Sequence, residues 1–136
     1  MGVAIRAGFL YFALVFVAGF VLGAIRTFLL TPVLGDTFAV LVELPAMLLI
    51  SWVVSRDTIS RLGVPREVPT GLMMGAVAFA LLLVAEAMAD RFLAGRGLAE
   101  HFRAYEFAPG LLGLGAQILF ALFPALQMLW AGSRRR

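Results

Sequence analysis

Four long apolar runs separated by short polar stretches dominate the chain: residues 7–30, 37–54, 70–89 and 107–131. An uncharged run of about 18 or more apolar residues is long enough, as a helix, to cross a hydrocarbon core of ~30 Å. The predicted fold is therefore all-α, a polytopic membrane protein with four transmembrane helices in two antiparallel hairpins. One integral membrane domain covers residues 1–136. Thr31, Pro32, Gly35 and Asp36 are the breakers between the first two spans, and Pro69 suits the first turn of the third. Residues 55–69 (SRDTISRLGVPREVP) read as a solvated loop, with Asp57 and Arg61 spaced to pair wherever a helical turn forms. In residues 90–106, Leu98, Phe102 and Tyr105 recur at helical spacing, while Glu100, Arg103 and Glu106 mark another face. This predicts a short interfacial helix between spans 3 and 4.

The polar residues inside the spans change the picture. Arg26 and Glu43 stand at nearly equal counts on either side of Leu34, so an antiparallel hairpin brings them to one depth. Charges inside a membrane are costly unless paired or hydrated, and two opposite charges at one level predict a pair. Glu86 lies near the end of the third span on the same side, and Gln117 near the middle of the fourth. Asp90 and His101 are candidates to stand above this group. Arg26, Glu43, Glu86 and Gln117 thus form the candidate intramembrane polar site. Its simplest structural role is an Arg26–Glu43 pair that locks the hairpin, with Glu86 either bonded to Gln117 or reaching toward water. Two carboxylates and a guanidinium also suit binding of a proton, a cation or, through Arg26, an anion.

Small residues supply candidate packing faces. Gly19 and Gly23 share a face with Arg26, and Ala39, Glu43 and Ala46 share one on the second span, so the two faces are expected to meet. Gly71 and Gly75 begin a comparable stripe on the third span that runs through Ala78 and Leu82 to Glu86. Pro45 removes a backbone donor to Leu41, which predicts a local polar spot near Glu43.

Composition narrows the function. The 136 residues are 62% hydrophobic and 14% charged, with mean hydropathy +1.01, which excludes an ordinary soluble domain. The net charge of +3 comes from arginines spread over the connections, not clustered on one face, so no nucleic-acid partner is expected. Arg6, Arg56, Arg61, Arg66, Arg134, Arg135 and Arg136 fall on the side of the termini, against Arg91, Arg96 and Arg103 on the other. That bias predicts cytoplasmic termini and a bacterial inner-membrane location, with Trp52 and Trp130 at the inner interface. The first apolar run lacks a small-x-small cleavage site and reads as a retained helix. With one His, no Cys and four Ser, the chain offers no catalytic constellation, no metal spacing and no cofactor motif.

Gly19, Gly23, Ala24 and Arg26 are similar to the first helix of small fluoride channels. Those channels carry an Asn in the second span and a TTFSTF-type motif in the third, and this chain has neither. Small multidrug exporters share the size and span count but place an essential Glu midway along the first helix, where this chain is apolar. These residues assign neither family. The expected role is an accessory or interaction subunit of a larger membrane complex. The alternative is a small homo-oligomeric ion- or proton-coupled transporter or channel built on Arg26, Glu43 and Glu86. The expected partners are the lipid bilayer and either further copies of the chain or the larger complex.

Overall fold

The computed structural model describes residues 1–133, and Arg134, Arg135 and Arg136 of the orientation argument lie outside them. Four helices are long and apolar enough to cross a membrane: Gly2–Leu34, Asp36–Leu62, Val68–Leu93 and Ala108–Ser133. The described residues contain no strand. The first span comprises α1 (Gly2–Ile25), a π-helical turn (Arg26–Leu30) and α2 (Thr31–Leu34). The others are α3 (Asp36–Leu62), α4 (Val68–Leu93) and α6 (Ala108–Ser133), with α5 (Leu98–Arg103) and a 3₁₀ turn (Ala104–Glu106) between the last two.

The first span begins earlier than the apolar run, at Gly2, and the third continues to Leu93, so Asp90 belongs to α4 and not to the connection that follows. Two further boundaries differ for local reasons. Helix continues through Thr31 and Pro32, and the chain breaks only at Gly35, whose φ of 77° is open to glycine at little cost. The π turn explains this: the Thr31 N–H donates to the Arg26 carbonyl, one residue further back than in an α-helix. The extra residue accommodates Pro32, which cannot bond the preceding turn. In the second case, α3 runs to Leu62, so the expected loop over residues 55–69 is helix for its first half. Arg61 lies in the last turn, and Gly63 ends the helix in a left-handed conformation at φ 60°. The Asp57–Arg61 pair forms at 2.6 Å.

In cross-section α1 packs on α3 and α4, and α6 packs on the same two, so the spans form a square. Each hairpin pairs its own two spans, α1 with α3 and α4 with α6, while α3 and α4, although joined by the short connection 63–67, stand on one diagonal and α1 and α6 on the other. The connection 63–67 crosses the near end of the bundle, where the N-terminus also lies. It buries Val64 against the core of Tyr11, Ile59, Met74 and Met128. The far end carries Gly35 and the α5 segment.

The near half is tightly packed because glycine permits it. A Cβ on Gly75 would lie 1.8 Å from the Ala121 carbonyl oxygen, and one on Gly71 would lie 2.8 Å from the Ala125 Cα. Backbones of α4 and α6 therefore touch directly, as small residues allow in the absence of a hydrophobic drive between helices. The α1–α6 diagonal is bridged by Tyr11. Its ring stacks on Phe120 at 4.4 Å between centroids, and its hydroxyl donates to the Phe120 carbonyl at 2.8 Å. That carbonyl lacks its helical donor because Pro124 occupies the required position.

Two substitution series check this account. Gly75→Ala forces α4 and α6 apart and costs roughly 1–3 kcal/mol, whereas Gly23→Ala, whose Cβ meets nothing within 4 Å, gains a few tenths to about 1 kcal/mol of helix propensity. Tyr11→Phe keeps the stack but strands a buried carbonyl, a loss of roughly 1–3 kcal/mol. Unfolding in mixed micelles, followed by circular dichroism, reads all three.

Candidate functional site

The first hairpin brings Arg26 and Glu43 together. Arg26 opens the π turn and Glu43 lies two turns into α3. Arg26 Nε stands 2.5 Å from Glu43 Oε2, with side-chain exposures of 30% and 15%. The contact is an ion pair by distance and not a hydrogen bond by direction, since the Nε–H has no hydrogen-bond partner. In the second hairpin, Gln117 Nε2 donates to both carboxylate oxygens of Glu86, at 2.8 and 2.7 Å. The Gln117 carbonyl oxygen is buried without a partner.

Both pairs line one cleft of about 330 Å³ in the far half of the bundle, between all four spans. Its walls are apolar, with Phe16, Phe20, Leu44, Leu48 and Leu82 prominent, and its deep end is formed by Ser51 and Phe120. Glycine has the opposite effect here from the near half. Gly23 and Gly113 line the space, and a Cβ on either would meet nothing within 4 Å. Missing side chains hold the cleft open.

The packing faces differ from expectation accordingly. A Cβ added at Gly19 would meet only the flexible end of Met47, 3.2 Å from its Cε, and Ala46 is exposed. The two small faces therefore do not meet as a seam. Pro45 and Leu41, whose carbonyl it deprives of a donor, are both exposed and neither lines the cleft, so the expected polar spot is not part of the site.

Above Glu86 the α5 segment closes over the rim. Asp90, one turn further along α4, accepts from Arg96 at 2.6 Å and lies 2.5 Å from His101 Nδ1. His101 is buried, and its Nε2 stands 3.3 Å from the Tyr105 hydroxyl. The ring nitrogens thus face two different oxygens, Nδ1 the Asp90 carboxylate and Nε2 the Tyr105 hydroxyl. Burial first, then the negative charges of Glu86 and Asp90, hold the Tyr105 phenol above its ordinary range and keep it a donor.

Several buried polar groups were not singled out from the sequence. Ser51, Ser55 and Thr58 are buried at helical spacing along α3. Ser55 donates to Gln127, which in turn donates to the Trp52 carbonyl. The i, i+4, i+7 spacing was the available signal, masked because Ser55 and Thr58 fell in the stretch read as loop. Among the described residues, no group of three or more His, Asp or Glu is arranged to hold a metal ion.

Two outcomes follow from this geometry. Arg26→Gln or Glu43→Gln leaves one charge unpaired and costs roughly 1–3 kcal/mol, part of which returns when the two charges are exchanged in a double variant. Asp90→Asn frees both Arg96 and His101, so limited trypsin digestion at Arg96 and Arg103 speeds up while helicity is kept.

A search of protein-family models, curated proteins and solved structures finds no match to this chain, so the chemistry of the site rests on its own residues.

Proposed function

We propose that this chain is a small proton-coupled transporter for amphipathic monocations, with the far-half cleft as its binding site. The observation that carries the reading is the charge balance of the cleft. Arg26 and Glu43 neutralise each other, while Glu86 is met by an uncharged amide. One carboxylate is in excess, and the unpartnered Gln117 carbonyl beside it is a second acceptor. In a poorly hydrated site such a carboxylate is stable either protonated or beside a cation. Proton and substrate then compete for one group, which is the minimum needed to couple their movements. The aromatic walls suit an organic cation, through ring faces and apolar contact, and the volume lies at the small end of ligand pockets.

Each residue has a separate task in this reading. Glu86 exchanges proton for cation. Gln117 orients the Glu86 carboxylate and offers its own oxygen to the ligand. The Arg26–Glu43 pair fixes the hairpin that forms the opposite wall. The Tyr11–Phe120 contact closes the deep end. Because one chain encloses the cleft, the reading needs no second copy to build the site. With the arginine bias, we place both termini in the cytoplasm of a bacterial cell and the cleft toward the outer leaflet.

The test uses the purified protein in liposomes with benzyltrimethylammonium as probe. An imposed proton gradient is expected to drive its uptake. Glu86→Gln should reduce flux by roughly tenfold or more while leaving the fold intact. Gly113→Leu, which fills the cleft from a position with free space, should block binding without loss of stability. If the probe binds the wild type and Glu86→Gln equally, the reading fails. Absence of binding, with a larger protein recovered in constant ratio from the native membrane, favours the accessory-subunit role instead.

A further inference from the structure

A second cleft, of about 450 Å³, opens at the near end of the bundle and shares no lining residue with the first. Its floor is apolar, with the buried Ile59 and Met128, and its rim carries Trp52, Trp130, Arg56 and Arg66. The chain builds this rim deliberately. Arg56 follows Trp52 by one turn of α3, and the left-handed Gly63 turns the chain so that Arg66 returns over the same opening. Gln127 ties the two walls together by donating to the Trp52 carbonyl at 2.8 Å. Trp52 meets Trp130 edge to face at 5.5 Å between centroids, so indole rings from α3 and α6 form one aromatic wall.

The electrostatics of this rim call for an anion. Among the described residues, neither Arg56 nor Arg66 is in an ion pair. Arg61, by contrast, is held by Asp57. Two like charges converging on one opening repel unless a counter-charge stands between them. Guanidinium groups match the oxygens of a phosphate in a bidentate manner. The depth also fits. The 27 residues of α3 rise about 40 Å, which exceeds a hydrocarbon core of ~30 Å. The charged stretch after Trp52 therefore stands at headgroup level.

We propose that the near-end cleft binds the phosphate of an anionic membrane lipid between Arg56 and Arg66. The glycerol and first acyl carbons lie over Ile59 and Met128 against the tryptophan wall. A zwitterionic lipid is a poorer occupant, because its ammonium group meets the same two arginines.

The purified protein in neutral detergent is titrated with phosphatidylglycerol or with phosphatidylcholine of the same acyl chains, and bound lipid is counted by native mass spectrometry. The wild type is expected to retain phosphatidylglycerol over phosphatidylcholine. The double variant Arg56→Gln, Arg66→Gln should lose that preference by roughly tenfold. Arg61→Gln, which removes the same type of charge outside the cleft, should keep it. A parallel arm adds inorganic phosphate alone. If phosphate displaces the lipid and stabilises the wild type but not the double variant, the phosphate site stands with a soluble source. Equal retention of the two lipids by the wild type overturns the proposal. So does an equal loss in Arg61→Gln, since the preference then reflects overall charge. Unfolding of each variant in phosphatidylcholine micelles separates lost binding from lost fold.

Discussion

A carbonyl group in hydrocarbon has no water to turn to, and Pro124 creates one such group at Phe120 in the middle of the fourth span. Tyr11 is the answer, reaching across the diagonal of the square to donate its hydroxyl. Around this level the near half closes tightly, backbone against backbone at Gly71 and Gly75. Beyond it the far half stays open, because Gly23 and Gly113, which line the cleft, face space. The cleft is thus a consequence of where the bundle is tied. A tie at the far end would leave Glu86 and Arg26 packed against neighbouring helices with no room for a ligand.

Much of this was legible in the residues alone. Span number followed from run length, and the Arg26–Glu43 level followed from counting outward from one turn. The Glu86–Gln117 contact was the plainest way to satisfy both groups. The interfacial helix showed in the spacing of Leu98, Phe102 and Tyr105, and it lies close to where that spacing put it.

The unread parts have physical reasons. The end of α3 is charged because it leaves the hydrocarbon, and hydropathy cannot distinguish a helix emerging into water from a loop. Gly23 and Gly75 are the same residue in similar apolar runs, yet one faces emptiness and the other a carbonyl oxygen. Only the neighbouring helix decides between packing and opening. The role of Tyr11 depended on a proline in a different hairpin, a pairing without any local signature.

The division of the polar residues between hairpins bears on how the protein enters its membrane. Arg26 finds Glu43 inside the first hairpin, and Glu86 finds Gln117 inside the second. Each hairpin therefore leaves the ribosome with its own internal compensation and can partition into lipid as a unit, without waiting for the other. The Tyr11 bond is of a different kind, since it joins the halves and forms only once they dock. Assembly is thereby split into two independent insertions followed by one docking step.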